Sequence, residues 1–63
     1  MKTRQEIQDA MKAEAILALQ TYLKTGLQGF WQKAKDRLAA IDLDLQSNSE
    51  TCCRIALEEL TGQ

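Results

Sequence analysis

Four side chains in the C-terminal third could act as nucleophiles: Ser47, Ser49, Cys52 and Cys53. A hydroxyl or thiol at its ordinary pKa is a weak nucleophile and needs an adjacent base. The 63-residue chain contains no His to supply one. Adjacent carboxylates such as Glu58 and Glu59 diverge on a helix and cannot share a proton. A chain this short also leaves little room for a pocket of several hundred Å³. The expectation is that the protein is not an enzyme and carries no cofactor.

Metal chemistry meets similar obstacles. Cys52 and Cys53 are neighbours, matching neither the spacing of a zinc site nor a C-x-x-C redox pair. On a helix they point about 100° apart, so a bridge between them would be strained. They read as reduced, partly buried small apolar residues. Asp42, Asp44, Gln46, Asn48 and Glu50 alternate like the ligands of a calcium loop. The sixth position of such a loop would be Ser47 instead of Gly, and the twelfth Cys53 instead of Glu. No metal is expected.

Nucleic acid is the third chemistry. Residues 1–41 carry a net charge of +3 and residues 42–63 a net charge of -4, within an overall -1. Lys24, Lys33, Lys35 and Arg37 could contact phosphates. A recognition helix should present basic or amide groups to the groove. The last third instead offers Glu50, Glu58 and Glu59 with only Arg54. Gly26-Leu27-Gln28-Gly29 has a G-x-x-G spacing, but no basic residue lies inside it and the chain lacks the strands of a backbone-clamping sheet. Nucleic-acid binding is therefore possible but not favoured.

The elements that would position these residues read as helices. Valine and proline are absent, and alanine plus leucine supply seventeen residues. Thr3 with Glu6 three positions on forms a capping box. Behind it, Ile7, Ala10, Met11, Ala15, Ala18 and Tyr22 share one side of a helix, with Ile16, Leu19 and Leu23 as a neighbouring strip. So wide an apolar arc suits a helix with two neighbours. The first helix is placed at about residues 3–25. Gly26 and Gly29 form the strongest break in the chain, and Gly26 suits the left-handed residue that ends a helix. The apolar spacing also runs straight through the glycines, so one long kinked helix is the rival reading.

A second helix is placed at about 27–45. Leu27, Trp31, Ala34, Leu38, Ile41 and Leu45 recur at spacings of four and three, an a/d seam flanked by Phe30. Its aromatic start beside Lys33, Lys35 and Arg37 also has the pattern of an interfacial membrane helix. Packing against the other helices is the simpler account. Gln46 to Ser49 is a polar, cap-rich loop with Ser47 or Ser49 as N-cap, and Ser47 with Glu50 makes a second capping box. A third helix, about 50–61, turns Cys53, Ala56, Leu57 and Leu60 inward and ends at Gly62.

The expected fold is all-α. It is a small helical bundle of one domain, residues 1–63, with an antiparallel helix hairpin and a short third helix, completed by dimerisation. A chain of this length buries only about 60% of the surface it exposes when unfolded. The apolar seam exceeds what a three-turn third helix can cover. The expected function is a non-catalytic protein–protein interaction or regulatory role, exercised by binding a partner macromolecule as a homodimer. The expected interface is Tyr22, Leu27, Phe30, Trp31, Leu38, Ile41 and Leu45, since aromatics dominate interface energetics. The alternative is a small nucleic-acid-binding transcriptional regulator using its basic helical face. No run of about 20 apolar residues spans a membrane, no signal peptide is evident, and a cytoplasmic location is expected.

Overall fold

A computed structural model describes residues 3–62. Three helices are present among them: α1 (Arg4–Thr25), α2 (Gln28–Ala39) and α3 (Glu50–Thr61). The chain is a small all-α helical bundle.

α1 starts where its capping chemistry dictates. Thr3 Oγ1 accepts the Glu6 N–H at 3.2 Å, and Glu6 Oε2 accepts the Thr3 N–H at 3.3 Å. The box satisfies two backbone donors that a helix start otherwise leaves unpaired. The helix stops at Gly26, which adopts φ +75° and donates its N–H to the Tyr22 carbonyl at 2.7 Å. The glycines therefore break the chain, and the continuous helix is not formed. Gly29 lies within α2.

α2 ends six residues earlier than the seam implies, at Ala39 instead of residue 45. The reason is a Schellman closure built without glycine. Asp42 takes the left-handed conformation at φ +63°. Its N–H bonds the Ala39 carbonyl at 3.2 Å, and the Leu43 N–H reaches back to the Leu38 carbonyl at 2.9 Å. These are the two bonds of the motif. Asp is among the few residues with a Cβ that enter this region at all, occasionally and as single residues. Residues 43–48 then run without regular structure, so neither the helical end nor a strand forms there.

α3 takes Ser49 as its N-cap, with Ser49 Oγ accepting the Cys52 N–H at 3.2 Å. Ser47 Oγ accepts the Ser49 N–H instead, so the Ser47–Glu50 capping box is not made. Glu50 pairs with Arg54 one turn on, at 2.6 Å. Gly62 closes α3 at φ +76°.

α1 is the central element. α2 and α3 both pack on it, α2 more extensively, and among the described residues no α2 Cα comes within 8 Å of an α3 Cα. The wide apolar arc of α1 thus serves two neighbours. The core is Ala15, Ala18 and Leu19 from α1, Ala34 and Leu38 from α2, Leu45 from the loop and Cys53 from α3. Tyr22, Leu23, Trp31, Ile41, Ala56, Leu57 and Leu60 pack around it, half-buried. Leu45 reaches the core from an irregular segment, so its burial owes nothing to the helical period. The Tyr22 hydroxyl donates to the Asn48 carbonyl at 3.0 Å and ties that segment's end to α1.

Ile7 departs from its expected place on the inner face and is 46% exposed. At 1.5 Å per residue α1 is about 33 Å long and α2 about 18 Å. Arg37, near the end of α2, bonds Glu14 at 2.8 Å. The first turns of α1 therefore extend past the last turn of α2.

Candidate docking surface

The seam read from the sequence divides between the interior and the surface. Leu38 and Leu45 are 2% and 3% exposed, spent entirely within the chain. Tyr22, Trp31 and Ile41 are half-buried against the core. Leu27 stands at 59% exposure because it is the N-cap of α2, outside the helix's packing face. Phe30 is half-buried on the wall of an open groove.

That groove runs between α1 and α2 and offers about 310 Å³ open to solvent, more room than the chain's length suggests, as a surface depression and not an enclosed pocket. Its lining is Glu14, Leu17, Ala18 and Thr21 from α1 with Phe30 and Lys33 from α2. Leu17, at 66%, is the most exposed large hydrophobic residue of those described. The sequence pattern does not single it out, because it stands at the margin of the first helix's apolar side, beside Ala10. The available signal was its own spacing, four residues from Thr21 and seven from Ala10.

Trp31 sits on another side of α2. Lys35 lies over its ring, Nζ 5.2 Å from the centroid, within the range of a cation–π contact. The indole Nε1 is buried and has no hydrogen-bond partner among the described residues. An orphaned donor costs roughly 1–3 kcal/mol of desolvation, so Trp31 is held by the area of its ring and not by its polar edge.

The four cations proposed for phosphate contact do not form one free set. Arg37 is engaged by Glu14, and Lys35 by Trp31. Lys24 and Lys33 make no ion pair among the described residues and remain available. In the acidic half, Arg54 is taken by Glu50, and the last turn of α3 holds no basic residue to set against Glu58 and Glu59.

The cysteines are free thiols. Cys53 is fully buried and Cys52 half-buried. Burial pushes the Cys53 thiol above its ordinary value near 9.0, with a smaller push from Cys52 beside it. A raised thiol pKa suppresses the nucleophilic thiolate at neutral pH. Among the described residues no group of three or more His, Cys, Asp or Glu side chains could hold a metal ion, and no helix is long and apolar enough to cross a membrane. Comparison with known protein families, with curated proteins and with solved structures finds no match.

Proposed function

We propose that this chain is a non-catalytic interaction protein that regulates a partner macromolecule by occupying its surface, and that it works as a homodimer. Its first two helices form an antiparallel hairpin, and a second copy completes the cover that α3 leaves unfinished. One observation carries this reading. The buried core holds three alanines and a cysteine beside only three leucines, while Ile7, Leu17, Leu27, Leu43 and Ile55 remain at least 41% exposed. A chain below about 70 residues rarely draws more than about 3–5 kcal/mol from its own core. Covering even part of the exposed apolar surface adds about 25 cal/mol per Å². Association is thus the accessible source of further stability.

The alternative, a small nucleic-acid-binding transcriptional regulator, has less support. Half of its proposed phosphate contacts are engaged inside the chain, and the remaining two, Lys24 and Lys33, give a shallow electrostatic footprint beside the 6–10 contacts typical of a strong binder.

Sedimentation velocity from about 1 to about 100 µM tests the association. The expected result is a concentration-dependent shift from the 7.1 kDa chain towards twice that mass. A single species of monomer mass across the whole range would refute the homodimer. A salt-sensitive gel shift with mixed DNA and RNA would move the reading to the alternative.

A further inference from the structure

α1 carries a second stripe at coiled-coil spacing that its own chain covers only in part. Ala10, Glu14, Leu17, Thr21 and Lys24 follow one another at intervals of four, three, four and three. Glu14, Leu17 and Lys24 are exposed, and Ala10 and Thr21 are half-buried. At 100° per residue this stripe lies on the side of α1 away from Leu19 and Leu23, which face the core. It forms the outer wall of the α1–α2 groove, through Glu14, Leu17 and Thr21.

We infer that this stripe is the homodimer interface, with α1 packed antiparallel on α1 of a second copy about a two-fold axis level with the midpoint between Leu17 and Thr21. This names the surface for the association proposed above and rests on that reading. The occupant follows from the charges. A two-fold interface must be complementary to itself. The pairs Glu14 with Lys24 and Leu17 with Thr21 share one midpoint along the helix. Antiparallel packing therefore sets each Glu14 against the other copy's Lys24, twice per dimer. Parallel packing would set Glu14 on Glu14 and Lys24 on Lys24, an arrangement that like-charge repulsion disfavours.

The local chemistry is ready for it. Arg37 Nε engages Glu14 Oε2 at 2.8 Å, leaving Oε1 for an ammonium from the second copy. The Thr21 hydroxyl already donates to the Leu17 carbonyl at 2.8 Å, so Thr21 can meet an apolar neighbour with its methyl group. The groove beside Thr21 and Phe30 gives the opposing Leu17 a place to insert.

Zero-length carbodiimide cross-linking of a mixture of ¹⁵N-labelled and unlabelled protein provides the test. Within one helix Glu14 and Lys24 are about 15 Å apart, too far for an amide to form between them. A Glu14–Lys24 cross-linked peptide of mixed isotopes must therefore join two copies. That product is expected. Lys24→Glu, at an exposed position, is expected to weaken the dimer about tenfold by sedimentation with the helical circular dichroism unchanged. Adding Glu14→Lys and Arg37→Glu to Lys24→Glu reverses the whole set, including the Arg37–Glu14 pair, and is expected to recover most of that loss. A dimer that gives no such cross-link and ignores both charge changes would overturn this interface while leaving homodimerisation standing. A wild-type chain that stays monomeric throughout would overturn both.

Discussion

Replacing Gly26 and Gly29 separately by Ala turns the backbone geometry at the α1–α2 junction into a measurable sign. Gly26 sits at φ +75°, and a Cβ built there meets nothing within 4 Å. The whole cost of Gly26→Ala is therefore backbone strain, about 1–2 kcal/mol for an L residue in the left-handed region. Gly29 lies in the first turn of α2 with no positive φ, and its added Cβ also meets nothing within 4 Å. Gly29→Ala reduces the entropy of the unfolded chain without strain and should stabilise by about 0.4–1 kcal/mol. The two changes add the same methyl group three residues apart and should act in opposite directions. Urea unfolding followed by circular dichroism reads the difference directly. With a slope of about 1 kcal/mol per M for a chain this small, the midpoints should separate by about 1.5–3 M. If Gly26→Ala raised the midpoint as Gly29→Ala does, the chain would continue as helix through residue 26, and the αL cap would be refuted.

Three further outcomes follow from the packing and the caps. Leu19→Ala, at a core position with no exposed surface, should cost about 2.7–5 kcal/mol. That equals most of what so small a core supplies, so thermal melts should show the variant largely unfolded at 25 °C. Leu27 caps α2 without a side-chain hydrogen bond and is 59% exposed. Leu27→Asp should add an acceptor for the first-turn N–H groups and raise the urea midpoint by about 1 kcal/mol equivalent. The Cys53 thiol is raised in the folded chain above its unfolded value near 9.0. The folded state then holds its proton more tightly, so this contribution is complete below about pH 9 and is lost as pH climbs through the folded value. Stability measured from pH 7 to 10 should fall over that upper range in the wild type and fall less in Cys53→Ala. Iodoacetamide at neutral pH should label Cys52 ahead of Cys53.

Much of the architecture was legible because helix ends are written in single residues. Thr3 with Glu6, Gly26, Ser49 and Gly62 each satisfy or release backbone groups that a helix terminus must settle. The end of α2 was not legible in the same way. Its stop residue is Asp42, a type that occupies the left-handed region only when the surrounding turn holds it there. Leu38 and Leu43 flank that turn and line one small notch with Asp44, Leu45, Ala56, Glu59 and Leu60, so the turn lies beside α3, more than ten residues away. The apolar period running on through Ile41 and Leu45 masked it.

The candidate surface was hidden for a related reason. Leu27, Leu38 and Leu45 look equivalent along a seam, yet one is a cap, one lies in the core and one arrives from a loop. Leu17 looked incidental, yet it is the most exposed large apolar side chain among the described residues. Sequence by itself determined that the chain is helical, where four of its helix ends fall and that its charge divides between its halves. These depend on local hydrogen bonding and composition, which neighbouring residues settle among themselves. Only the tertiary structure decided where α2 stops, that the backbones of the two helices flanking α1 do not meet each other, and which apolar residues remain at the surface. Each of those depends on which distant face arrives to exclude water, and a single helical period carries no record of that.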